Sequence, residues 1–252
     1  PLTVYNLMYA DALEKAAVVN EGTGRSGVAA EYRERAGRLR AALRARCYSA
    51  ERGLFRDGPD VEQYSQHAQI WAVLAGVVRG EEASRLAVRM LSEPGLPKAS
   101  WAYGHFQFRA LATAGEYDRS FALWEAWREL VSLNLTTWVE DPVSQRSDCH
   151  AWSAAPLYEF PAELLGVAPA EPGFARIRVA PRPGPLTHAE GEVPTVRGAV
   201  RVAWRVEDGV FRLRVNAPAA VPVDVVMPDG SIATWEEARD AELSCDYAYA
   251  ER

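Results

Sequence analysis

Cysteine is scarce in this chain of 252 residues, with only Cys47, Cys149 and Cys245 present. They are odd in number, far apart and in no metal-ligand spacing, so neither a disulfide framework nor a structural zinc site is expected. Reduced thiols in a cytoplasmic protein are the simplest reading. Long apolar runs are lacking too: no uncharged stretch approaches the ~20 residues that span a bilayer, and no membrane partner is expected. A secretory leader is not visible either. Basic patches are missing. The net charge is −6, which repels phosphate backbones and argues against nucleic acid as a partner. The arginines between Arg33 and Arg46 are spaced by Ala and Leu and read as the wet face of a helix. There is no glycine-rich phosphate loop, no nucleophile–His–Asp arrangement and no metal cage, so no cofactor is expected.

What is present describes a foldable protein. Hydrophobic residues make up 48% and charged residues 25%, enough apolar side chain for a sizeable core. The length allows one large domain or two ordinary ones. Eight tryptophans, many beside polar residues, suit sugar rings, whose faces are apolar and whose edges are hydroxyls. For any single one of them, filling a helix–helix contact is the plainer reading.

The apolar period changes once along the chain. Positions Val4, Leu7, Met8, Ala12 and Val19 predict a helix over 3–20, closed by Gly22, Gly24 and Gly27. Val28, Tyr32, Ala36, Leu39 and Leu43 form one stripe of a second helix. Gly53, Asp57, Gly58 and Pro59 mark 51–60 as a loop. Further helices are predicted over 63–79, 82–91, 100–114 and 117–131, the last with Tyr117, Phe121, Trp124 and Val131 on one face. Residues 133–146 have no period and contain Pro142, and read as a long loop. Pro156 and Pro161 predict a kinked or late-starting helix within 149–165.

Beyond a Pro/Gly cluster near 166–173 the period becomes two. Val200, Val202, Trp204 and Val206 alternate with arginines, Asp208-Gly209 turns the chain, and Phe211, Leu213 and Val215 alternate again. Strands are also predicted over 175–180 and 221–227, and a short helix plus tail over the last twenty residues. The expected fold is mainly α with a β domain. Paired helices with long loops at one end suit part of an (α/α) six-hairpin toroid over 1–168, and the strands a small antiparallel β-sandwich over 169–252. A closed toroid needs about twelve helices; this portion alone leaves an apolar face exposed.

One loop gathers unusual chemistry. Thr136, Thr137, Trp138, Glu140 and Asp141 precede Asp148, His150 and Trp152 by about ten residues. Glycoside hydrolysis uses two carboxyl groups, standing roughly 6.5–9.5 Å apart when a water must fit between them. Glu140 and Asp141 are adjacent and point opposite ways in an extended loop. Asp148 is the better neighbour for Glu140, or it caps the following helix. His150 either orients a sugar hydroxyl or is a structural histidine.

The strings Thr136-Thr137-Trp138-Val139-Glu140 and Arg146-Ser147-Asp148-Cys149-His150-Ala151-Trp152-Ser153 resemble the late catalytic-domain signature of bacterial α-L-rhamnosidases of glycoside hydrolase family 78. Ser65 to Gly76, Phe106 to Gly115, Leu165-Gly166-Val167 and Val193-Pro194-Thr195 are similar to further segments of that family, in its order. The resemblance implies an inverting glycosidase that removes terminal α-linked L-rhamnose. Glu140 would be the general base, His150 a sugar contact, and Trp138 and Trp152 would line the site with Asp148. It also implies that the general acid lies upstream of residue 1. The chain would then be weakly active or inactive without the amino-terminal part of the same enzyme. The competing expectations are a non-catalytic carbohydrate-binding or scaffold fragment, and a six-hairpin glycosidase for another sugar.

Overall fold

A computed structural model describes residues 2–140, 147–236 and 240–249. The chain divides into two compact units, Pro1–Ser153 and Ala154–Arg252. Helices and sheets share it as the change of period predicts.

The first unit is helical. Helices α1 (Thr3–Gly22) and α2 (Ser26–Cys47) pack together. Leu7, Ala10, Leu13 and Ala17 are buried on α1, and Ala29, Ala36 and Leu43 on α2. The alanines let the two backbones approach closely. This buried face differs from the predicted stripes, since Val19 and Val28 are exposed. Gly27 starts α2 instead of ending α1. The arginines of α2 do form a wet face: Arg40 pairs with Glu14 at 3.0 Å, Arg44 with Glu82 at 2.5 Å, and Arg33 with Glu21.

The expected loop after α2 contains a short hairpin, β1 (Tyr48–Ser49) with β2 (Leu54–Phe55). It forms because Leu54 and Phe55 bury completely and the Gln69 amide completes the backbone bonding of Phe55. Next come α3 (Gln66–Leu74), α4 (Gly80–Ser92) and α5 (Trp101–Thr113). Helix α3 is shorter than predicted because Gly76 turns the chain at φ +68°, a conformation natural only for glycine. The segment predicted as one helix over 117–131 is a 3₁₀ stretch (Tyr117–Trp124) running into α6 (Glu125–Ser132). That change of pitch rotates its face. Leu130 is buried and Val131 is exposed.

In the second unit the prolines act as predicted. Helix α7 spans Ala155–Glu159 with Pro156 in its first turn, and a π-helical turn spans Phe160–Leu164 with Pro161 near its start. Pro156 therefore sits where an amide donor is not needed, and Pro161 falls where the helix widens to the π pitch. Two four-stranded sheets follow. One has the order β10-β7-β6-β5, from β5 (His188–Thr195), β6 (Gly198–Glu207), β7 (Val210–Asn216) and β10 (Asp240–Asp246). The other has the order β3-β4-β8-β9, from β3 (Val167–Pro169), β4 (Ile177–Val179), β8 (Val223–Val226) and β9 (Ile232–Trp235). Strands β4 and β8 pair in parallel; the other ladders are antiparallel. Val200, Val202, Trp204, Phe211, Leu213 and Val215 share one core with Ile177, Val179, Val223 and Val225 of the other sheet. The helix expected in the last twenty residues is instead strand β10, whose Ala241, Leu243 and Cys245 alternate with exposed polar side chains. Among the described residues no helix is long and apolar enough to cross a membrane.

Candidate active-site loop

The loop after α6 carries the predicted site residues in the first unit, and backbone hydrogen bonds draw its two described arms together. His150 N–H donates to the Trp138 carbonyl at 2.6 Å, and Glu140 N–H donates to the Ser147 carbonyl at 2.8 Å. The Thr137 hydroxyl donates to the Asp148 carbonyl. Residues 137–140 are thus fastened along 147–150, so Trp138 and Glu140 come beside Asp148 and His150. Asp141 and Arg146, two members of the predicted strings, lie outside the described residues.

Burial orients the first arm. Val139 is 2% exposed, while Trp138 and Glu140 on either side are half-buried. Val139 anchors the segment as a hydrophobic peg and leaves its neighbours toward the surface. On the second arm Asp148 is exposed, and among the described residues its side chain makes no capping hydrogen bond. His150 is half-buried and its ring lies 4.6 Å from that of Trp152 at 30°. Its Nδ1 is buried, with no hydrogen-bond partner among the described residues. Trp152 is 45% exposed, a large apolar surface left open beside an imidazole. A carboxylate, an imidazole and two indoles on one fastened loop can hold a polar ring by its face and its hydroxyls.

The support beneath the loop was not anticipated from the sequence. Ser153 is fully buried; its hydroxyl donates to the Val139 carbonyl at 2.5 Å and lies 3.2 Å from the His150 carbonyl. The Trp127 indole N–H donates to the Ser153 carbonyl at 2.8 Å. Trp127 packs against Trp101 (4.7 Å), Trp124 (5.4 Å) and Phe108 (5.7 Å). A side chain at Gly104 would stand 3.1 Å from the Trp127 ring. The visible signal was the Trp124–Trp127 spacing of three on a helix, which puts both rings on one face.

The chain is similar in fold to the family 78 rhamnosidase of Bacillus sp. GL1, with 29% identity and a TM-score of 0.83 over 91% of this chain and 26% of that one. The α-L-rhamnosidase of Aspergillus terreus superposes with a TM-score of 0.80 at 19% identity, over 93% of this chain and 29% of that one. The Streptomyces avermitilis α-L-rhamnosidase solved with L-rhamnose gives 0.76 at 18% identity, over 96% and 26%. Residues 166–242 match the family model described as the bacterial alpha-L-rhamnosidase C-terminal domain. No curated protein sequence matches the chain. The family resemblance read from the sequence therefore holds: this chain is related to the carboxy-terminal part of bacterial α-L-rhamnosidases, and it spans between a quarter and a third of the length of these structures.

Proposed function

We propose that this chain is the carboxy-terminal part of an inverting glycoside hydrolase that removes terminal α-linked L-rhamnose. The observation that carries the reading is the fastening of Trp138 and Glu140 to the arm bearing Asp148 and His150, in a chain related to rhamnosidases. Glu140 would act as general base, taking a proton from the water that attacks the anomeric carbon. His150, Trp138, Trp152 and Asp148 would bind the sugar. With Nδ1 of His150 buried, Nε2 is the ring edge that a sugar hydroxyl would meet. The proton donor would lie in the amino-terminal part of the same enzyme. Leu2 and Tyr5 support that arrangement: at the start of α1 they stand 56% and 65% exposed, as on an incomplete helical toroid. The division into a six-hairpin domain over 1–168 and a β-sandwich over 169–252 belongs to the same proposal. It is supported by the start of the family match at residue 166.

The test is release of aryl product from an aryl α-L-rhamnoside by the enzyme extended upstream to the length of its relatives. Glu140→Gln should lower kcat/KM by about 10²–10⁴-fold. A variant as active as the parent removes Glu140 from the mechanism. A parent that leaves the rhamnoside intact but stays folded moves the reading to another sugar or to a binding role.

A further inference from the structure

Catalysis by a carboxylate base depends on where its oxygen sits, and a displacement of about 1 Å can cost about a hundredfold. What fixes a side chain on a loop is the peptide plane before its Cα. In this chain that plane, between Val139 and Glu140, is held at both ends. Its N–H donates to the Ser147 carbonyl at 2.8 Å, and its C=O accepts from the Ser153 hydroxyl at 2.5 Å. The preceding plane is held as well, through the His150 N–H on the Trp138 carbonyl at 2.6 Å.

Ser153 supplies the side-chain donor to this plane, and it is fully buried. Its own position is set by the Trp127 N–H on its carbonyl. Trp127 in turn sits in a nest of aromatic rings, over a glycine whose missing side chain leaves it room. The linkage therefore runs from the packed helices α5 and α6 to the peptide that carries Glu140. A loop built this way does not rely on its own stiffness. Its aim is borrowed from helices whose rotamers are locked by packing.

We infer that Ser153, held by Trp127, is a positioning residue that fixes the 139–140 peptide and so aims Glu140. The inference rests on the general-base reading of Glu140, and two variants test it. Ser153→Ala removes the hydroxyl donor, and Trp127→Phe keeps a ring in the nest but removes the N–H. Hydrogen exchange on the 252-residue chain reads the clamp directly. Exchange across 138–150 should rise by at least about tenfold in each variant, while α3 keeps the parent's protection. In the upstream-extended enzyme, kcat per competent site should fall by about ten- to a hundredfold with KM within about threefold. The competent sites are counted by titration with L-rhamnose, so that a mere loss of folded protein appears in the stoichiometry and not in the rate per site.

Unchanged exchange across the loop overturns the clamp. Raised exchange with a parental rate per site overturns the positioning role. A parent enzyme inactive on the rhamnoside overturns the underlying functional reading and the catalytic part of this inference together. Variants that fail to meet these expectations beside an active parent overturn this inference alone.

Discussion

Gly166 carries the tightest backbone constraint in the second unit. It adopts φ +77°, and a β-carbon there would stand 2.2 Å from the Ala180 carbonyl carbon and 2.3 Å from the Pro181 nitrogen. The closeness is structural: the Ala180 N–H donates to the Gly166 carbonyl at 2.9 Å, where the chain enters β3. Both neighbours are backbone atoms and cannot rotate away. Gly166→Ala therefore meets a left-handed conformation and a backbone clash at once, and should cost at least about 3 kcal/mol. Urea unfolding followed by near-ultraviolet circular dichroism reads that loss as a lower midpoint. A midpoint equal to the parent's would mean that the 166–181 contact is easily relaxed.

At the scale of elements, Gln69 joins a helix to a hairpin. Its fully buried amide accepts from the Phe55 N–H at 2.8 Å and donates to the Phe55 carbonyl at 2.8 Å and the Ser65 carbonyl at 2.9 Å. The side chain thus substitutes for the strand that β2 lacks on that side. Gln69→Met keeps the volume but strands two backbone groups, and should cost about 2–4 kcal/mol in chemical denaturation. A loss below about 1 kcal/mol would show that water replaces the amide. This kind of contact also marks where the sequence is legible. Strands β6 and β7 could be read because their inner positions are all large and apolar and alternate with arginine. Strands β5 and β10 could not be read. They are the edge strands of their sheet, and their inner faces include Ala189, Gly191 and Ala241, which give a weak period. The 3₁₀ start of α6 was hidden because pitch follows packing and leaves composition unchanged. In the loop, Trp138, Glu140, Asp148 and His150 stood out as residue types suited to sugar chemistry. Ser153 and Trp127 did not, because each acts on a backbone carbonyl and such a contact leaves no residue pattern.

Across the whole molecule, acid should act on the two units at different points. His67 in α3 and His105 in α5 both belong to the first unit, and burial lowers the pKa of each below the ordinary histidine value. Asp57 partly opposes this at His67, whereas Arg109 and Lys15 reinforce it at His105. A depressed histidine means that the unfolded chain takes up a proton before the folded one does. Stability is then complete above the unfolded value, about 6.5, and declines as the pH falls through it toward the folded value. In the second unit, hydrogen bonds from Ser231 and Arg214 hold the Asp229 and Asp240 carboxyls below the usual carboxylate range. Their contribution is present above about pH 4 and is lost only as the pH falls below it. Between pH 7.5 and 5.5 the first unit should therefore weaken while the second holds. Hydrogen exchange corrected for its intrinsic pH dependence reads each unit separately: opening should become easier in α3 and α5 but not in β6 and β7. Replacing His67 and His105 together by asparagine should flatten the response of the first unit. A response that persists in the double variant would place the titrating group elsewhere, and a parent indifferent to this range would mean that both rings hydrate freely in the folded state.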